Sequence, residues 1–115
     1  MIYEPFDVVV VPFPFTDSSE TKRRPALVLS QNTNFGKEIE HSVLAMITSL
    51  KNDPWPLDCK IINKKQSGLT ASSVVRMKLF TLDNRFILRK IGHLSKTDQE
   101  QVKQSLSQIF DYLLS

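Results

Sequence analysis

A chain of 115 residues with 41% hydrophobic and 23% charged side chains reads as one folded domain over residues 1–115, not as a disordered segment. Its size is one at which pairing with a second copy helps, and its formal charge of +3 permits a nucleic-acid partner without demanding one. A single cysteine, Cys59, excludes an internal disulfide and suits a reducing cytoplasm; Met1-Ile2-Tyr3-Glu4-Pro5 is no secretory signal, and no run approaches the ~20 apolar residues that span a bilayer.

Asp7 to Phe15 opens with Val8-Val9-Val10-Val11, a β-branched run that is apolar on both faces and predicts a strand. Pro12 and Pro14 cannot donate to a ladder, so this strand ends at an edge, a bulge or an exit from the sheet. Polar residues from Thr16 to Glu20 follow. Then Lys22-Arg23-Arg24 meets Pro25, and Ala26 to Ser30 predicts a second strand. Pro25 biases Arg24 toward extended geometry at the doorway of that strand. Gln31 to Asn34 and Gly36 break it, and Ser42 to Ser49 predicts a third, central strand. After a loop from Lys51 to Pro56, further strands are predicted over Asp58–Ile62, Ser73–Phe80 and Phe86–Ile91, with turns at Ser67–Thr70 and Asp83-Asn84. Strands at this spacing suggest a small barrel or a strongly bent antiparallel sheet.

The tail changes period. Ser95-Lys96-Thr97-Asp98 matches a capping box with aspartate in place of glutamate. Behind it Val102, Leu106, Ile109, Phe110 and Leu113 make one apolar helical stripe, suited to packing on the barrel or on a second subunit.

The residues themselves offer little conventional catalytic apparatus. Cleavage of a phosphodiester by paired imidazoles needs two histidines converging on one phosphate. The chain has only His41 and His93, for which surface or capping positions fit better. Asp53, Asp58 and Cys59 lie close in sequence but without metal-ligand spacing, and no glycine loop exists to cradle phosphate. What remains is Arg24, whose planar fork suits a phosphate-bearing ligand, and the hydroxyls of Thr48 and Ser49 at the end of the third strand. If the second and third strands lie side by side, Arg24 and Thr48 meet at one edge of the sheet. Taken alone, the basic run is more often a solvated surface cluster and Thr48 an ordinary strand-end residue.

Three blocks extend this reading. Phe6 to Asp17 (FDVVVVPFPFTD), Lys22 to Ser30 (KRRPALVLS) and Ala45 to Ser49 (AMITS) resemble, in order, the motif blocks of the MazF/PemK toxin family. Ser73-Val74-Val75, Phe80 to Asp83 and Ile91 to Ser95 resemble its later strands and the lead into its last helix. Better-known members carry glycine-aspartate where this chain has Phe6-Asp7. Some members also carry acidic and glutamine residues in the region of Arg76 to Phe80, where this chain has none.

The resemblance implies a mainly β, SH3-like barrel with short helices and a C-terminal helix, acting as a cytoplasmic homodimer. It implies a type II toxin–antitoxin endoribonuclease that cuts single-stranded mRNA without metal or other cofactor and is neutralised by a cognate antitoxin. The family's catalytic arginine falls on Arg24 and its catalytic threonine on Thr48. Lys22 and Arg23 would hold flanking phosphates, Phe15 would offer a face for an unpaired base, and Thr16 and Ser49 would complete the substrate contacts. Two alternatives remain at this point. One is a non-enzymatic toxin of the same fold that grips a protein target such as gyrase through Phe110, Tyr112 and Leu113; the other is an inactive nucleic-acid-binding barrel.

Overall fold

The β-branched run Val8–Val11 forms the middle of β1 (Asp7–Phe13) in the computed structural model of the chain, which describes residues 2–13, 22–32, 35 and 37–115, with Phe13 and Lys37 described by backbone alone. Successive valines serve opposite faces of the sheet, as the period of a strand requires. Val8 enters a core with Leu27, Ala45, Ile47, Val75, Leu94 and Val102. Val9 and Val11 enter a second core with Tyr3, Ala26, Val28, Leu44 and Ile87. Two buried faces explain a run with no polar alternation.

The other strands are β2 (Lys22–Val28), β3 (His41–Ser49), β4 (Cys59–Lys60), β5 (Ser73–Asp83) and β6 (Arg89–His93). They form one curled antiparallel sheet in the order β4-β5-β3-β2-β1-β6. The second strand therefore starts earlier than its apolar residues suggest. Lys22, Arg23 and Arg24 already pair with Phe13, Pro12 and Val11, so the cations lie within the strand and not ahead of it.

Pro12 and Pro25 each sit beside an open flank of the sheet, and Pro14 lies outside the described residues. β6 pairs with β1 only over Asp7–Val10, which leaves Pro12 with β2 as its one neighbour. β3 pairs with β2 only over Ala26–Val28, which leaves Pro25 with β1 alone.

The described residues also form the α-helices α1 (Lys37–Ile39), α2 (Lys64–Ser67) and α3 (Lys96–Leu114), with a 3-10 turn over Asn84–Phe86. α2 falls between the predicted strand ending at Ile62 and the predicted turn at Ser67–Thr70. Asn63 caps its start by accepting from the Gln66 amide, and Gly68 stops it in the left-handed region at φ 77°. A methyl on Gly68 would lie 1.9 Å from the Ile91 carbonyl oxygen, and one on Gly92 would lie 2.3 Å from Ser67 backbone atoms. Two glycines thus let α2 press directly against β6.

Ser95 caps α3 as expected, its hydroxyl accepting from the Asp98 amide. The buried Asp98 carboxylate does not complete the reciprocal box. It instead accepts from the Ile62 and Asn63 amides at 3.0 Å each, which ties the helix to the chain after β4. Only the first half of the predicted stripe is covered. Val102 is buried and Leu106 packs beside it, whereas Leu113 is 74% exposed.

Candidate functional site

Past Ala26 and Met46 the second and third strands part company. β2 stays with β1 as far as Lys22, while β3 stays with β5 as far as Ser49. Carrying the β2–β3 register two residues beyond its last pair sets Arg24 opposite Thr48. The divergence opens a cleft of about 520 Å³ between them, within the size range of ligand sites. Arg23, Arg24, Thr48 and Ser49 all line it, together with Arg89, Thr70 and Ser73. Its described lining carries three arginines and no carboxylate.

Thr48 is buried at the strand end, and its Oγ1 accepts a 2.6 Å hydrogen bond from Asn52 Nδ2. With that lone pair engaged, the hydroxyl hydrogen remains available as a donor. Arg24 is half-buried and, among the described residues, has no carboxylate partner. A guanidinium placed in this way is a ready counter-charge for an incoming anion. Lys22 and Arg23 are exposed, and only Arg23 of the two lines the cleft. Phe15 and Thr16 lie outside the described residues.

The loop that delivers Asn52 is held by a buried ion pair. Arg76 donates through Nε and Nη2 to the two Asp58 oxygens at 3.2 and 3.0 Å, and through Nη2 to the Asp53 carbonyl at 2.8 Å. Its guanidinium also lies 5.0 Å from the Trp55 ring centre. Burial pushes the Asp58 carboxyl up, but the hydrogen bonds from Arg76 and the Trp55 amide outweigh it and hold the group below its ordinary value. Cys59 is turned away, its thiol 3.1 Å from the Ser105 hydroxyl and pushed up chiefly by burial. Arg76 thus takes up the Asp58 carboxylate and the Asp53 carbonyl, while the Cys59 thiol is turned to Ser105. Among the described residues no three His, Cys, Asp or Glu side chains group to hold a metal.

His93 is tied to structure. Its Nδ1 lies 2.8 Å from Asp7 Oδ1, which also accepts from Lys90 at 3.1 Å, while Oδ2 accepts from the Glu4 amide at 2.9 Å. Burial raises Asp7, yet these donors and the charge of Lys90 bring it below its ordinary value. A lowered folded-state pKa means stability that is fully present above about pH 4 and lost as the pH falls through the folded value. Asp7→Asn should accordingly narrow the gap between urea midpoints measured at pH 7 and pH 3; an unchanged gap would remove Asp7 from the acid response.

Sequence reasoning did not find Asn52 or Arg89. Neither carries a local signal, since each reaches the site only through strand register or the return of a loop.

The family model described as a PemK-like, MazF-like toxin of type II toxin–antitoxin systems matches residues 4–110. No curated protein sequence matches the chain. Among solved structures, the Mycobacterium tuberculosis toxin MazF-mt6 superposes with a TM-score of 0.72 at 19% identity, covering 91% of this chain and 96% of that one. A MazE–MazF structure from Deinococcus radiodurans gives 0.76 at 18% identity, over 96% of this chain and 97% of that one. An endoribonuclease in complex with its cognate antitoxin, from a mycobacterial species, gives 0.68 at 13% identity, over 92% and 90%. At these identities the structural likeness establishes the fold.

Proposed function

Because the chain belongs to the PemK-like, MazF-like toxin family of type II toxin–antitoxin systems, we propose that it is an endoribonuclease that cuts single-stranded mRNA in the cleft between Arg24 and Thr48. The observation that supports this most is the composition of that cleft: two residues far apart in sequence line it from diverging strands, and its described lining carries three arginines and no carboxylate.

The ribose 2′-oxygen attacks the adjacent phosphorus as the bond to the 5′-oxygen breaks. A 2′,3′-cyclic phosphate and a 5′-hydroxyl result, the proton lost at one oxygen being balanced by that gained at the other. Arg24 neutralises the charge that grows on the phosphoryl oxygens and assists proton transfer to the leaving oxygen. Preorganised donors of this kind supply about 3–4 kcal/mol. Thr48, fixed by Asn52, donates to the scissile phosphate and keeps the attack in line. No metal enters these steps, because the nucleophile is internal and the counter-charge is guanidinium. Lys22 and Arg23 hold flanking phosphates, with Phe15, Thr16 and Ser49 as further RNA contacts.

The same proposal includes a cytoplasmic homodimer and a cognate antitoxin. An acidic segment with a few apolar anchors, folding as it binds, would compete with RNA for these cations.

Incubating the purified protein with an unstructured RNA in EDTA and mapping the ends tests the reading. The expected products carry 2′,3′-cyclic phosphate and 5′-hydroxyl termini. RNA left intact would overturn it and favour the non-enzymatic alternative at the end of α3, where Tyr112 is 90% exposed.

A further inference from the structure

Adjacent cations on β6 have different surroundings. Lys90 turns to the buried Asp7 carboxylate at 3.1 Å. Arg89 is exposed, lines the cleft and has no carboxylate partner among the described residues. Register explains its place. Arg89 pairs with Val10, and Val10 with Pro25, so the three form one row across β6, β1 and β2, and all three line the cleft. Residues in such a row share a face of the sheet. The backbone of Arg89 stands two strand spacings, about 10 Å, from that of β2 beside Arg24. Thr48 lies on the opposite side, on β3. In backbone order β2 lies between β3 and β6. Arg24, paired with Val11, belongs to the neighbouring row, whose side chains leave the other face. It meets Arg89 because both line the cleft, so that a single strand laid in the cleft reaches both guanidinium groups.

We infer that Arg89 is a substrate-positioning residue, binding a backbone phosphate that flanks the scissile one on the side away from Thr48. The inference rests on the reading of the cleft as an RNA-cleaving site. Arg89 contributes to holding the strand and not to the bond-breaking step, so its removal weakens binding without slowing bound substrate.

The test uses a 2′-O-methyl RNA, which lacks the nucleophile and cannot be cut, alongside the cleavable strand. Arg89→Gln should raise Kd for the uncut strand roughly five- to tenfold. It should also flatten the log Kd against log salt plot by about 0.7, the share of one phosphate contact in a single strand. On cleavable RNA, KM should rise while kcat stays within about twofold. Arg89→Lys should recover most of the salt slope, and Lys90→Gln should leave that slope at the wild-type value. An Arg89→Gln protein with unchanged Kd and slope, or with lowered kcat at unchanged Kd, would overturn the role of Arg89 while the cleft reading stood. A wild-type protein that neither binds nor cuts RNA would overturn both.

Discussion

Arg24→Lys is expected to slow cleavage by about 10²–10³-fold, the scale of losing one preorganised transition-state donor, while RNA binding stays within a few-fold. Charge is conserved in this substitution, so any long-range attraction for the strand survives. What disappears is the planar fork, which can address two phosphoryl oxygens at once. Lysine also has little opportunity to adjust through the backbone. Position 24 is paired with Val11 on β1 and is followed by Pro25, so its main chain is held extended on both counts. Single-turnover rates at saturating RNA report the chemical step, and anisotropy with an uncut strand reports binding. Wild-type rates in the lysine variant would show that a point charge suffices and that Arg24 only gathers substrate.

The strand-rich body and the closing helix were legible because their signals are local. Val8–Val11 is β-branched with no alternation, and both of its faces are buried. Pro12 was read as a mark of lost pairing, and β6 does stop short of it. β2 and β3 do lie side by side over Ala26–Val28, and beyond that last pair Arg24 and Thr48 line one cleft. β2 starts earlier than polarity predicts, since Lys22, Arg23 and Arg24 have the composition of a loop. Pairing with β1 overrides that preference. α2 is a four-residue helix, too short to show any period, and it depends on Asn63 and Gly68 as stops. The tight seat of Gly68 against β6 and of Gly92 against α2 has no local signature at all. Phe6 gives the reverse case. It adopts φ 73°, a region that costs a side-chain-bearing residue strain. Its amide donates to Val28 and its carbonyl accepts from Leu94, which holds it there. The glycine that related chains place at this point would meet the same geometry without that cost.

Thr48→Val should slow cleavage by about 10²-fold with the fold intact. Valine matches threonine in shape and favours a strand, so a position only 4% exposed keeps its packing. Both polar functions go together. The side chain can no longer donate to the phosphate, nor accept from Asn52 Nδ2. Asn52 is exposed and can turn to water, so the stability cost should stay within about 1 kcal/mol. Thr48→Ser keeps the hydroxyl but frees its rotation, and an intermediate rate is expected from it. Ser49 makes the informative neighbour. Its hydroxyl accepts from the Lys51 amide at 3.2 Å, within the turn that leaves β3, and it lines the same cleft. Ser49→Ala should therefore lose far less activity than Thr48→Val when rates and thermal midpoints are measured side by side. A fully active Thr48→Val beside a dead Ser49→Ala would move the essential hydroxyl one residue along the strand, and Asn52 would then be holding the wrong side chain.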